Sequence, residues 1–310
     1  MPDVLGIDTS NYTTSAALLK NGEMFQSKKL LPVRAGERGL RQSDAVFHHA
    51  QQLPEVLEHL PFAGAEIASV GVSNRPRSME GSYMPCFLVG VAAAETAALS
   101  LGVPLREFSH QQGHIAAALY SAGKLSLVRE RFLAFHVSGG TTEAVLCRPD
   151  RSGLFSTEIA ARSLDLKAGQ AVDRVGVMLG LPFPAGPALE KLALQCGKTF
   201  RVRPCLRGCD CSLSGVENRC RAMADSGAPK EEIAAYCLFS VLAALDGMAS
   251  ALREKHGDLP VVFAGGVAGN SIIRKSLEAK YGAFFAEPRF SSDNAAGAAV
   301  LAAFREGVLP

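Results

Sequence analysis

The 310 residues are 48% apolar and 20% charged, enough for one large domain or two ordinary ones around a substantial core. A net charge of +2 excludes a global cationic field, so any nucleic-acid contact has to come from a local basic patch. Met1 runs straight into the apolar stretch 4–7 with no secretory pattern, and the eight cysteines read as reduced thiols, so a soluble, cytoplasmic protein is expected.

The stretch VLGIDTSNYTTSAALL, starting at Val4, has an apolar strand, a small polar turn and a second apolar strand, which predicts a β-hairpin. A helix over 43–60, a strand over 67–72 and a small-residue helix over 87–100, stopped by Gly102, follow. SHQQGHIAAALY opens another helix near His110, and RFLAFHVSGGTTEAVL, from Arg131, predicts a second hairpin. Helices are predicted over 170–179 and 230–255, with Pro187 near the first position of a short helix between them. The 230–255 segment is apolar, but it carries Asp246 and several small residues and reads as a buried helix, not a membrane span. A strand over 261–264, a helix from Asn270 and an alanine-rich helix over 293–305 complete the chain, with Asp293 or Asn294 suited to cap the last one.

The two hairpins echo each other at an offset of 128 residues: Leu5 meets Leu133, Ser10 meets Ser138, and Thr13 and Thr14 meet Thr141 and Thr142. Strands alternating with helices behind each hairpin imply a duplicated α/β lobe with a mainly parallel sheet. The lobes are expected at 1–128 and 129–310, with the final helix packing back toward the first.

His110 and His114 stand four apart on one helix face, a spacing that suits two nitrogen ligands on one metal or two solvated histidines. No glutamate stands between them, so the metallopeptidase reading lacks its general base. The turn Val137, Ser138, Gly139, Gly140, Thr141 follows a strand, and 264–270 repeats the pattern up to Asn270. Such turns bring backbone N–H groups close to phosphate oxygens or a sugar, or simply reverse the chain. Asp173 falls off the helical face made by Ala171, Val175 and Met178, leaving a ribose-binding carboxylate or a solvated one open. Cys205, Cys209, Cys211 and Cys220 lack the paired C-x2-C spacing of a structural zinc site and read as buried or loop thiols, with a second metal as the alternative. Arg201, Arg203 and Arg207, with Arg219 and Arg221, form a basic stretch that suits RNA phosphates or a solvated loop.

Seven motifs in order, GIDTS at Gly6, H-x3-H at His110, VSGGTT at Val137, AVD…LGLPFPAGPALEKLA from Ala171, SLSG at Ser212, AGGVAGN at Ala264 and SDNAAGAA at Ser292, span nearly the whole chain. In these the sequence resembles the tRNA threonylcarbamoyladenosine synthase family, the threonylcarbamoyl transferases once called O-sialoglycoprotein endopeptidases. The resemblance implies a two-lobed, actin-like ATPase fold with a central cleft. It implies that His110, His114 and Asp293 bind one iron or zinc ion. It also implies that Val137, Ser138, Gly139, Gly140, Thr141, Asp173, Gly186 and Asn270 hold ATP or threonylcarbamoyl-adenylate, with or without Mg. The implied reaction passes threonylcarbamoyl to an adenosine beside a tRNA anticodon, with no nucleophilic side chain. The implied partners are tRNA and other tRNA-modification proteins, in a homo- or hetero-oligomer and without a membrane.

Departures from the family pattern mark a divergent branch. The first turn reads Asn11-Tyr12-Thr13 instead of carrying an acidic pair, and residues 74–80 replace a glycine-rich loop. Thr141 stands where the family has histidine, Leu166 where it has the second aspartate beside Asp165, and Glu217 in place of a lysine, which is expected to invert the charge near a phosphate site. A non-catalytic, nucleotide-binding scaffold is the competing reading.

Overall fold

The computed structural model describes residues 2–309 apart from 11, 33–39, 292 and 293. In chain order the elements are β1 (Asp3–Asp8), β2 (Thr13–Lys20), β3 (Glu23–Leu30), α1 (Gln42–Glu58), β4 (Ile67–Arg75), α2 (Phe87–Leu101), β5 (Leu105–Ser109) and α3 (His110–Ser121). Next come β6 (Phe132–Val137), β7 (Thr142–Pro149), β8 (Phe155–Arg162), α4 (Ala168–Met178), α5 (Gly186–Ala193), β9 (Cys205–Arg207), β10 (Asp210–Ser212), α6 (Ser214–Asp225) and α7 (Lys230–His256). Then follow β11 (Val261–Ala264), α8 (Ser271–Tyr281), β12 (Phe284–Phe285), α9 (Pro288–Ser291) and α10 (Ala296–Arg305).

These elements form two compact units, one of Met1–Arg129, Pro149–Ser156 and Arg289–Pro310, the other of Glu130–Arg148 and Thr157–Pro288. The first holds the sheet β3-β2-β1-β4-β5, the second the sheet β12-β11-β6-β7-β8. In each sheet the opening hairpin is antiparallel and the following strand pairs parallel to its first member. The echo holds register for register: Leu5 pairs with Leu18 and Ile7 with Ala16, as Leu133 pairs with Leu146 and Phe135 with Ala144. Neither β3 nor β8 is foreshadowed by the sequence, since EMFQSKKL and FSTEIAAR lack a clear apolar alternation.

Strand alternation sorts the first sheet into two faces. Leu5, Ile7, Val70 and Val72 join Leu53, Val56, Ala94 and Ala98 in one apolar cluster. The intervening Gly6 and Gly71 lie against α10, and a Cβ at Gly6 would come 2.5 Å from the Ala295 carbonyl oxygen. Only the absence of side chains there lets α10 approach the strands so closely. The last helix starts at Ala296, later than the sequence suggests, yet Asn294 serves its end by accepting from Ala296 N at 3.0 Å.

In the second unit Leu133, Phe135, Val137 and Leu146 join the buried faces of α4, α5 and α7. Phe135, Phe263 and Phe285 stack in succession at 4.6 and 5.0 Å. The helix α7 is long and apolar enough to cross a membrane, but Ile233, Val241, Leu245 and Leu252 on it are fully buried in this core. Glu231 and Glu232 in its first turn and Arg253, Lys255 and His256 in its last complement the helix dipole.

Candidate functional site

Two constellations stand out, one in each unit. In the first, Asp8 ends β1 and is almost completely buried. Its Oδ1 accepts from Ser10 N at 2.9 Å, and its Oδ2 lies 2.9 Å from His110 Nδ1. His110 opens α3, and one turn later the His114 Nε2 lies 2.9 Å from the His110 Nε2. Burial acts to raise the Asp8 carboxyl, but the charge and hydrogen bond of His110, with the help of Ser10, hold it below the ordinary carboxylate range.

The start of α3 is itself fastened. Ser109 and Gln112 form a reciprocal capping box, and the Ser78 hydroxyl donates to Gln112 Oε1 at 2.9 Å. Gln112 Nε2 donates to Phe155 O at 2.9 Å, and Gln111 N to Pro76 O at 3.0 Å. The rewritten loop at 74–80 is therefore tied to the helix that carries the histidines.

The donor set fits a metal ion. With the Nδ1–H of His110 donated to Asp8, its Nε2 lone pair is free of that proton. Two Nε2 atoms 2.9 Å apart either share a proton or present two lone pairs to one cation. Asp8 orients the first imidazole from its Nδ1 side, so it stands behind that ring and not beside the facing Nε2 atoms. Among the described residues no three His, Cys, Asp or Glu converge to hold a metal. The expected third ligand, Asp293, lies outside the described residues.

In the second unit, Ser138 N donates to Thr141 O at 2.7 Å and closes the glycine turn, whose Gly139 and Gly140 face open space. Gly169 in the first turn of α4 packs on it, and a Cβ there would come 2.6 Å from Gly139 N. Gly169 N donates to Ser138 O at 3.1 Å. The second turn docks on the same strand end: Val267 N donates to Val137 O at 3.1 Å, and Gly265 adopts φ +98°, with a Cβ there overlapping the Val137 carbonyl.

Asn270 is the N-cap of α8, its Oδ1 accepting from Ile272 N at 3.1 Å and Ile273 N at 3.2 Å. Its amide oxygen is therefore engaged, and Nδ2 is the end of the side chain that can donate elsewhere. Ser271 N donates to Glu190 Oε1 on α5 at 2.8 Å. Asp173 neither floats in solvent nor stands alone: its Oδ1 accepts from Ala185 N at 2.8 Å, directly before Gly186. A circuit of hydrogen bonds thus runs from the 137–141 turn through α4, Asp173, α5, Glu190 and α8 back to Val137. These bonds link, one to the next, the segments that carry the expected nucleotide residues.

Sequence reasoning missed Asp8 as the partner of His110 and Glu190 as the partner of Ser271. A carboxylate at the end of an apolar strand, and another one helical turn after Gly186, were the available signals. Glu217 does not stand as a bare negative charge: Arg174 and Arg221 hold its carboxylate at 3.2 and 3.1 Å. Cys211 and Cys220 are buried, and burial pushes the Cys211 thiol up to about 11, unlike a reactive thiolate.

Among solved structures, the chain is similar to full-length HypF in its phosphate- and nucleotide-bound form, with a TM-score of 0.59 and 15% identity over 100% of this chain and 47% of that one. It is also similar to component A of the (R)-2-hydroxyglutaryl-CoA dehydratase of Acidaminococcus fermentans, with a TM-score of 0.56 and 19% identity over 99% and 100% of the two chains. The fold is that of the actin-like ATPases. Among curated proteins, the tRNA N6-adenosine threonylcarbamoyltransferase of Halalkalibacterium halodurans is 31% identical over 98% of this chain and 91% of its own. That of Bacillus licheniformis is 31% identical over 89% and 82%. The family model for TsaD, tRNA N6-adenosine threonylcarbamoyltransferase, matches residues 35–300, and the chain belongs to that family.

Proposed function

We propose that this protein transfers a threonylcarbamoyl group to the exocyclic amine of an adenosine beside a tRNA anticodon. The observation that carries the reading is the convergence of His110 and His114 through their Nε2 atoms, with Asp8 behind the first. In this reading the two histidines and Asp293 hold one iron or zinc ion. When bound, the ion supplies positive charge beside the oxygens of an acyl phosphate. ATP or the threonylcarbamoyl-adenylate, with or without Mg, lies along the rim of the second unit. There the Gly139 and Gly140 amides donate to phosphate oxygens, Asp173 Oδ2 accepts from the ribose, and Asn270 Nδ2 donates.

The transfer needs no side-chain nucleophile. The adenosine amine attacks the carbamoyl carbon, a C–N bond forms, and the bond from that carbon to the phosphate oxygen breaks. AMP leaves with the electron pair, and the amine proton passes to solvent. Turn amides set in place before the reaction stabilise charge on the departing phosphate without reorganising. The same proposal takes 1–128 and 129–310 as the two lobes, with the last helix returning to the first. It places the protein in the cytoplasm with other tRNA-modification proteins.

The test is to incubate metal-loaded protein with threonylcarbamoyl-adenylate and unmodified tRNA and to measure modified nucleoside by mass spectrometry. Product from the native chain, lost in His110→Ala and His114→Ala, is the expected result. The scaffold reading is favoured by one observation, the Ser78 hydroxyl that pins the 74–80 loop onto α3. Nucleotide binding with no product under any partner combination would establish it instead.

A further inference from the structure

The segment leading into β9 alternates. Arg201, Arg203, Cys205 and Arg207 are exposed, whereas Val202 and Pro204 between them are half-buried. Pro204 and Leu206 lie over Gly247 of α7, where a Cβ would come 3.1 Å from Pro204 Cγ and 2.9 Å from Leu206 Cδ1. Extended chain places alternate residues on one side, so with Pro204 and Leu206 on α7 Arg203, Cys205 and Arg207 point away from it, and exposed Arg201 continues the alternation. At the rise of extended chain Arg201 and Arg203 would stand about 6.6 Å apart and Arg207 about 13 Å further on. That spacing is comparable with the step between successive phosphates of an RNA strand.

The electrostatics of the neighbourhood agree. Several cations of this unit, among them Arg148, Arg174, Arg274 and Lys280, are paired with a carboxylate, and so is Arg221, which drops out of the basic stretch while exposed Arg219 stays in it. Among the described residues, Arg201, Arg203 and Arg207 have no carboxylate partner. The acid opposite Arg207 in the hairpin, Asp210, accepts from the backbone N of Arg162 at 2.8 Å. Arg162, exposed at the end of β8, adds a fourth cation where β8 meets β10.

From this comb we infer that Arg201, Arg203 and Arg207 form a track for the sugar-phosphate backbone of the tRNA. The inference rests on the transfer reading. Arginine suits the task because its guanidinium stays charged and matches phosphate geometry. The track positions the tRNA without reading its bases.

Binding of unmodified tRNA is measured against salt concentration for the native chain, for R201A/R203A/R207A and for the triple lysine variant. The control, R148A/R274A/K280A, removes the same charge from paired cations. The alanine comb variant should lose at least ~10-fold in affinity, and its log–log salt slope should become shallower by about 2. The lysine variant should keep most of the slope and the control nearly all of it. Native chain that binds tRNA with a comb variant of unchanged slope overturns the inference alone. Native chain that binds no tRNA at any salt overturns the transfer reading and the track together. Loss of binding to phosphatidylserine vesicles with tRNA binding untouched would make the comb a membrane surface and would also overturn it. Nucleotide titration of each variant reports that the unit is still folded.

Discussion

Gly297 of α10 lies on the backbone of Gly113 in α3, so close that a Cβ on Gly297 would overlap the Gly113 carbonyl. Gly113 sits between His110 and His114, so the crossing of the two helices falls within the turn that carries the histidine pair. Replacing Gly297 by Ala forces the helices apart and should lower stability by about 2–3 kcal/mol, seen as a lower urea midpoint. Gly140, whose Cβ direction is open, is the contrast. G140A should unfold like the native protein yet bind nucleotide more weakly, because the added methyl group crowds the approach of a phosphate to the turn.

The imidazole pair predicts a stoichiometry. Elemental analysis of protein reconstituted with iron or zinc should give one bound ion, lost in His110→Ala and in His114→Ala. Asp8→Asn keeps both ligands but removes the carboxylate that holds the His110 tautomer. It should weaken metal binding by about 10–100-fold without abolishing it.

Asn270 has two separable roles. Its oxygen caps α8, and in the proposed function its Nδ2 meets the nucleotide. Asn270→Ala should cost about 1 kcal/mol of stability and also weaken ATP binding. Asn270→Asp retains the cap, so its melting temperature should stay near native while ATP binding, read by calorimetry, falls. Equal ATP affinity in native and Asp variants would mean that Nδ2 does not meet the ligand.

His49 on α1 predicts a pH dependence. It is fully buried, with Nδ1 2.8 Å from Thr14 Oγ1 and no hydrogen-bond partner for Nε2 among the described residues. Burial pulls its pKa from 6.5 down to about 4. Between those values the unfolded chain binds a proton that the folded chain refuses, so stability is full above about pH 6.5 and drains away toward pH 4. At about 1.36 kcal/mol per pH unit the loss reaches at most ~3 kcal/mol. Urea unfolding across this range should show the slope in the native protein and a shallower one in His49→Asn.

Local pattern made much of this protein legible. The 128-residue echo placed both hairpins, and their registers coincide because each opens with the same apolar strand, polar turn and apolar strand. Four-residue spacing put His110 and His114 on one face, since a helical turn admits no other arrangement. A glycine pair just after an apolar strand marked both turns of the second unit. The weakly patterned strands β3 and β8 stayed hidden, because Lys28 and Lys29 in one and Glu158 in the other break the apolar alternation.

What the sequence by itself determined is the order and type of the strongly patterned elements, the duplication, the paired imidazoles and the family. The tertiary structure alone decided which distant groups meet: Asp8 with His110, Val137 with Val267, Asp173 with Ala185 and Glu190 with Ser271. It also showed Glu217 neutralised by two arginines and Asn270 engaged as a cap. The physical reason is that periodicity reports only which face of an element is apolar. The partners of a buried polar group depend on strand order and helix crossings, and those are set by the packing of the whole chain.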